Sequence, residues 1–241
     1  MDIHFEKTVG EIVALDYRAA AIFEKYGIDF CCKGNIPVDE ACERKHVFTE
    51  DVMRELKLLL TGSDNTGDDF ASWSPAYLAD YIEQKHHSYV TEKTPVLLRF
   101  LDKLCSTHGH RHPELLEINR LFSESAIELA MHMKKEETIL FPLIRKMKMS
   151  TSDPMSEHPL TTGMLQTPIA VMMEEHDHEG DRFRMIDTLT NHYQPPADAC
   201  NTYKATYALL QEFENDLHLH IHLENNILFP KAVQMERELM N

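Results

Sequence analysis

Two stretches of this chain carry the same chemistry-bearing pattern. One is His220-Ile-His-Leu-Glu224-Asn-Asn-Ile-Leu-Phe-Pro230, and the other is His132-Met-Lys-Lys-Glu136-Glu-Thr-Ile-Leu-Phe-Pro142. Both read H-x-x-x-E-x-x-I-L-F-P. Residues four apart share one face of an α-helix, so each copy sends an imidazole and a carboxylate the same way. Two such pairs facing each other across a helical bundle form a mixed nitrogen and oxygen cage, the donor set of a metal site with room for two ions.

The repeat extends upstream. His176 precedes His220 by 44 residues and His87 precedes His132 by 45, so each half offers one lone imidazole and one His-x3-Glu pair. The resulting set is His87, His132, Glu136, His176, His220 and Glu224. Three ligands per half suit a pair of octahedral-leaning first-row metals with open positions. Bridging falls to Glu136 and Glu224, because a carboxylate spans two ions where an imidazole does not. Iron fits best, since the set has neither the thiolates of structural zinc nor the all-oxygen shell of magnesium or calcium. Two ferric ions would outweigh two carboxylates, which favours an oxo or hydroxo bridge, and the open positions would take small ligands such as O2 or NO.

Other residues near the motif are weaker candidates. On the first helix the repeat spacing favours His87 over His86 by one position, while the apolar neighbours Ile82 and Tyr89 lie nearer the His86 face. Periodicity leaves that choice open. Glu128, one turn before His132, and Glu175, beside His176, are placed to relay protons or line a channel, although a solvated acid is the plainer reading of each. His178, His218 and His222 fall two residues from a ligand candidate and so face elsewhere on their helices. His108, His110 and His112 form a loop cluster, mostly solvated. The I-L-F triplets read as core packing beside the site.

The pattern of the chain supplies helices to hold these groups. Ser74-Pro75 has the N-cap and first-turn proline of a helix start, and His112-Pro113, Thr167-Pro168 and Pro195-Pro196-Ala-Asp198 mark three more. The spacing predicts long helices over about 75–105, 113–147, 167–191 and 198–229, antiparallel by virtue of short connections. Pro142 and Pro230 are expected to kink or end their helices. Residues 61–73 are rich in Gly, Asp and Ser and read as a linker. Ahead of it lies a small helical unit: Thr8 and Glu11 form a capping box, Tyr17–Tyr26 is a helix stopped by Gly27, Pro37 opens another, and Thr49 caps a fourth with Val52, Leu56, Leu59 and Leu60 on its buried face. No stretch alternates as a strand does. The expected fold is all-α, with a small helical domain over 1–62 and a four-helix bundle over 74–241.

Composition narrows the function classes. The net charge of −16 over 241 residues argues against a protein that tracks nucleic-acid phosphates. No apolar run approaches a membrane span, and the N-terminus has no signal-peptide pattern, so a cytoplasmic protein is expected. Five cysteines, an odd number without a framework spacing, speak against a disulfide scaffold. The adjacent pair Cys31-Cys32, in a turn between Gly27 and Gly34, reads as a reactive or metal-transferring thiol pair rather than a strained disulfide. Cys42, Cys105 and Cys200 read as incidental.

With those residues in view, the chain resembles the Repair of Iron Centres family, hemerythrin-like di-iron proteins that help restore damaged iron–sulfur clusters. The resemblance covers nearly the whole chain. It runs through Tyr-Gly-Ile-Asp-Phe-Cys31-Cys32-Lys-Gly, ELAMHMKKEETILFP (Glu128 to Pro142), MMEEHDHEG (Met172 to Gly180) and DLHLHIHLENNILFP (Asp216 to Pro230). It implies a hemerythrin-like bundle in which His132, Glu136, His176, His220 and Glu224 hold two irons, the glutamates bridging. The family's first-helix histidine lies five residues before a glutamate, as His87 lies before Glu92, which selects His87. The resemblance also implies a role for the vicinal cysteines, action after nitric oxide or peroxide stress, damaged iron–sulfur proteins as partners, and dimerisation. Two other classes compete with iron supply: a di-iron NO or peroxide reductase, and a hemerythrin-like O2 or NO carrier or sensor.

Overall fold

The computed structural model describes residues 7–61, 69–150 and 163–239. Among the described residues the chain is helical, and its only β-type pairing is an isolated bridge between Thr8 and Pro37. The chain divides into two compact units, Met1–Leu78 with Ile221–Asn241, and Ala79–His220.

The first unit contains α1 (Val9–Leu15), α2 (Ala19–Lys25), α3 (Val38–Lys45) and α4 (Thr49–Thr61). The capping box opens α1 as expected: the Thr8 hydroxyl accepts from the Glu11 N–H, and the Glu11 carboxylate accepts from the Thr8 N–H at 2.8 Å. Helix α2 stops where Gly27 turns left-handed at φ 65°. Gly27 N–H then donates to the Glu24 carbonyl at 2.8 Å and Ile28 N–H to the Phe23 carbonyl at 2.9 Å, which satisfies two of the helix's last carbonyls. Val9, Ile12, Phe23, Ile28, Val52 and Leu56 form the core. Leu59 and Leu60, expected on the buried face of α4, are half-buried in its last turn. Of the expected linker, 62–68 lies outside the described residues. Its tail is packed: Phe70–Ser72 makes one 3-10 turn, with Phe70 buried and Trp73 edge-on against it at 4.9 Å. Two large aromatic rings in an otherwise polar run gain more from burial than from solvent.

Four long helical rods follow, each closer to its expected span in the middle than at the ends. The first joins α5 (Pro75–Ile82) and α6 (Ser88–His108) through a wide π-turn at Glu83–His87. The second joins α7 (Glu114–Lys135) and α8 (Phe141–Ser150) through a π-turn at Glu136–Leu140, and the third is α9 (Gln166–Leu189). The fourth joins α10 (Asn201–Leu223) and α11 (Phe229–Leu239) through a π-turn at Glu224–Leu228, and the boundary between the units falls within α10. The second and fourth rods therefore do not end at Pro142 and Pro230. A proline ring clashes with the turn before it in a regular helix. Here the preceding turn is one residue wider, with Phe141 N–H donating to the Glu136 carbonyl and Phe229 N–H to the Glu224 carbonyl, and the helix runs on. The fourth rod starts at Asn201 rather than 198, because Ala199 N–H bonds the Pro196 carbonyl and closes a turn there.

In the second unit α6 packs on α7 and α7 on α9. The seam is aromatic: Phe122 meets Phe213 edge-on at 5.3 Å, and Phe183 stacks on Phe213 at 5.8 Å. Each of these rings is almost wholly buried, a contribution of about 2–3 kcal/mol apiece. This layer keeps the helices in register on one side of the histidine cluster.

Candidate metal centre

Each π-turn carries a ligand candidate: His87 closes the first, and Glu136 and Glu224 open the other two. All six residues of the expected set are buried, with Glu136 and Glu224 at 0% exposure. Within the second unit, His87, Glu136 and His220 each offer an atom within 4.8 Å of the others, and His132, Glu136 and His176 form a second such group. Glu136 belongs to both groups. His86, also fully buried, belongs to neither and stacks on His220 at 5.6 Å.

Glu136 divides its two oxygens between the groups. Its Oε1 lies 3.3 Å from His132 Nε2, while its Oε2 lies 3.2 Å from His87 Nε2 and 4.0 Å from His220 Nε2. His132 Nε2 and His176 Nε2 face each other at 3.1 Å. Two neutral imidazole nitrogens at that distance repel unless a proton or a cation lies with them.

The outer nitrogens are held by carboxylates. His87 Nδ1 lies 3.0 Å from Glu137 Oε1, and His132 Nδ1 lies 2.9 Å from Glu175 Oε2. A carboxylate at Nδ1 keeps the proton there and turns the Nε2 lone pair inward, the arrangement that metal-binding histidines share. The hydrogen bond from His132, reinforced by Lys135, holds the Glu175 carboxyl down at about 2. Burial, with the neighbouring His87 imidazole, pushes His220 well below its ordinary value and keeps it a neutral donor. The donor set thus fits a pair of borderline cations: four buried imidazoles, two buried carboxylates, and outer carboxylates that fix the His87 and His132 rings.

The remaining candidates take other places. Glu175 orients His132 rather than standing as a loose relay, and Glu128 is half-exposed and paired to Arg182 at 2.9 Å. Arg182 also binds Glu179, a buried acid that accepts from Ser125 Oγ at 2.7 Å. Of the I-L-F triplets, Ile139 departs from the core reading: it is 52% exposed, whereas Leu140, Phe141, Ile227, Leu228 and Phe229 are buried. Ile139 faces outward, although Ile227 at the same place in the twin turn is buried, and Phe141 stacks on His87 at 5.7 Å. Glu137 and Asp216, partners of His87 and His86, had no signal in the sequence, because their partners lie on another helix.

In the first unit Cys31 is buried and Cys32 half-buried, with the sulfurs 3.7 Å apart, hydrogen-bonded and not joined in a disulfide. Asp29 Oδ1 accepts the Cys31 and Cys32 N–H groups at 3.1 and 2.9 Å and shapes the turn. The hydrogen bond to Cys32, then burial, push the Cys31 thiol well up, so it rests protonated. Asn226 Nδ2 donates to the Phe30 and Cys31 carbonyls at 3.2 and 3.4 Å, and Asn225 Nδ2 to the Cys31 carbonyl at 3.3 Å. The thiol turn is therefore tied to the π-turn that Glu224 opens.

The fold and this donor set define a hemerythrin-type cation-binding protein, and residues 82–232 match the family model of the Hemerythrin HHE cation binding domain. Residues 5–60 match a Domain of Unknown function (DUF542), called ScdA_N. The chain is 35% identical to a probable iron-sulfur cluster repair protein of Haemophilus influenzae, covering 95% of this chain and 97% of that one. It is 34% identical to the iron-sulfur cluster repair protein YtfE of Musicola paradisiaca, over 96% and 98% of the two chains. It is 31% identical to the iron-sulfur cluster repair protein ScdA of Staphylococcus haemolyticus, over 94% and 97%. The chain belongs to this family of hemerythrin-like iron–sulfur cluster repair proteins.

Proposed function

We propose that this protein repairs iron–sulfur clusters damaged by oxidative or nitrosative stress, and that it does so by supplying iron from a di-iron cage. His87, His132, Glu136, His176, His220 and Glu224 would hold the pair, Glu136 and Glu224 supplying the carboxylates able to bridge it. The division of labour follows two parts, residues 1–62 for thiol chemistry and 74–241 for the cage. The observation that carries the reading is the split carboxylate of Glu136, whose two oxygens serve different histidines at 3.3 and 3.2 Å. A single ion would draw both oxygens, or one, to itself.

When bound, the iron pair supplies exchangeable, redox-active cations with open positions for small ligands such as NO or O2. The protein's own groups do the rest. Glu137 and Glu175 fix the ring planes of His87 and His132. Phe141 covers one face of His87 and excludes water there. Cys31 and Cys32 provide soft ligands that accept iron in transit, once a cation displaces their protons. Damaged iron–sulfur proteins in the cytoplasm are the partners. No described helix is long and apolar enough to cross a membrane.

The test is transfer of label. Protein loaded with 57Fe is mixed with a [4Fe–4S] hydratase whose cluster has been degraded by nitric oxide. The account expects 57Fe in the restored cluster, and slower restoration by the Cys31→Ser plus Cys32→Ser variant at unchanged iron content. Restoration without label in the cluster would overturn iron supply. Multiple-turnover N2O formation would then identify a reductase, and a reversible spectral change without product a carrier.

A further inference from the structure

The first π-turn buries two consecutive histidines, and only one of them belongs to the cage. His86 is 0% exposed and His87 3%. Both are prepared in the same way. His86 Nδ1 lies 3.0 Å from Asp216 Oδ1, as His87 Nδ1 lies 3.0 Å from Glu137 Oε1. Asp216 thus holds the His86 proton at Nδ1 and leaves Nε2 a lone-pair donor. Among the described residues that Nε2 has no hydrogen-bond partner. A desolvated imidazole nitrogen without a partner is costly to bury, of the order of 1–3 kcal/mol, unless the position serves a ligand.

The surroundings point to a cation. The His86 ring lies nearly parallel to that of His220, 13° apart, and Tyr81 closes it edge-on at 5.7 Å. Glu212, Asp216 and His220 are spaced four apart on α10 and so form one stripe. Along it exposure falls from Glu212, which is exposed and accepts from Tyr89 Oη at 2.9 Å, through Asp216 at 15%, to His220 at 1%. A stripe of two acids running from solvent to a cage histidine, with a carboxylate-held imidazole against its second acid, has the graded donor set that guides a divalent cation. Both histidines lie in the π-turn Glu83–His87, a local geometry frequent at functional sites.

We infer that His86 is an exchange ligand, a fifth imidazole that takes over from His87 while iron passes between the cage and the Glu212–Asp216 stripe. This rests on the di-iron reading above. The step is a ligand substitution. His86 Nε2 gives its lone pair as His87 Nε2 withdraws its own, each Nδ1 proton stays on its ring and is donated to Asp216 or Glu137, and neither oxidation state nor proton count changes. Ferrous ion is the form expected to move, since ferric ion exchanges its ligands slowly.

The experiment uses full-length protein loaded anaerobically with ferrous ion, with release to a ferrous chelator followed by absorbance. Variants are His86→Phe, which keeps a ring against His220, His87→Ala, and the two combined, with helical content by circular dichroism as the folding control. X-ray absorption counts the imidazoles per iron. The expected result is that His86→Phe holds as much iron as wild type and releases it about tenfold more slowly. His87→Ala keeps more iron and more imidazoles per iron than the double variant, which loses about half of its iron. Release by His86→Phe at the wild-type rate would overturn the inference, as would His87→Ala losing as much iron as the double variant. Wild-type protein that takes up no iron would instead overturn the di-iron reading itself.

Discussion

His87 and His132 show what each side chain of the cage contributes. The ligand atom is one nitrogen of a ring, and the other nitrogen decides whether that atom is ready. Glu137 and Glu175 make that decision through hydrogen bonds of 3.0 and 2.9 Å. Glu137→Gln or Glu175→Gln replaces a charged acceptor with an amide and loosens the ring. Iron affinity measured by competition with a chelator is expected to fall about 10- to 100-fold in each, with helical content unchanged. Equal affinity in both variants and wild type would remove the outer carboxylates from the account. Four-residue spacing on one helix made the common face of His132 with Glu136, and of His220 with Glu224, legible in the sequence. The outer carboxylates were not, because His87 and Glu137 are 50 residues apart and His132 and Glu175 are 43 apart. Only packing brings such residues together, and no periodicity records it.

At the level of elements, the helix spans were readable and the three π-turns were not. A π-turn inserts one residue without changing the apolar pattern far from it, so hydrophobic spacing still reads as one helix. Pro142 and Pro230 marked the irregularity, but their ordinary reading, a helix that ends or kinks, missed that the wide turn absorbs the ring and lets the helix continue. Capping chemistry fared better, since its side chains are local: the Thr8–Glu11 box and the Gly27 stop both occur where expected. Gly27→Ala tests the second. Its added methyl would meet nothing within 4 Å, so the cost is the left-handed backbone alone, about 1 kcal/mol. Denaturant midpoints should shift accordingly with iron content unchanged. Gly34→Ala should be far worse, because its Cβ would fall 2.3 Å from the Phe30 carbonyl.

Across the whole molecule, one chain carries a cation cage and a thiol turn, and the π-turn after Glu224 is bonded to that turn through Asn225 and Asn226. Asn226→Ala removes two of these hydrogen bonds. Alkylation of Cys31 and Cys32 by a maleimide should then quicken several-fold, as the turn opens more often; an unchanged rate would show that Asp29 and Asn225 hold it without Asn226. The surface, with 40 acidic against 24 basic residues, favours cations and disfavours nucleic acid. The central claim is that two irons share the carboxylates of Glu136 and Glu224. Iron analysis with Mössbauer spectra of wild type, Glu136→Ala and Glu224→Ala tests it most directly. The account predicts about two irons per chain with a coupled spectrum in wild type, and loss of that coupled pair in each variant. Full retention of coupled iron in both variants would contradict it.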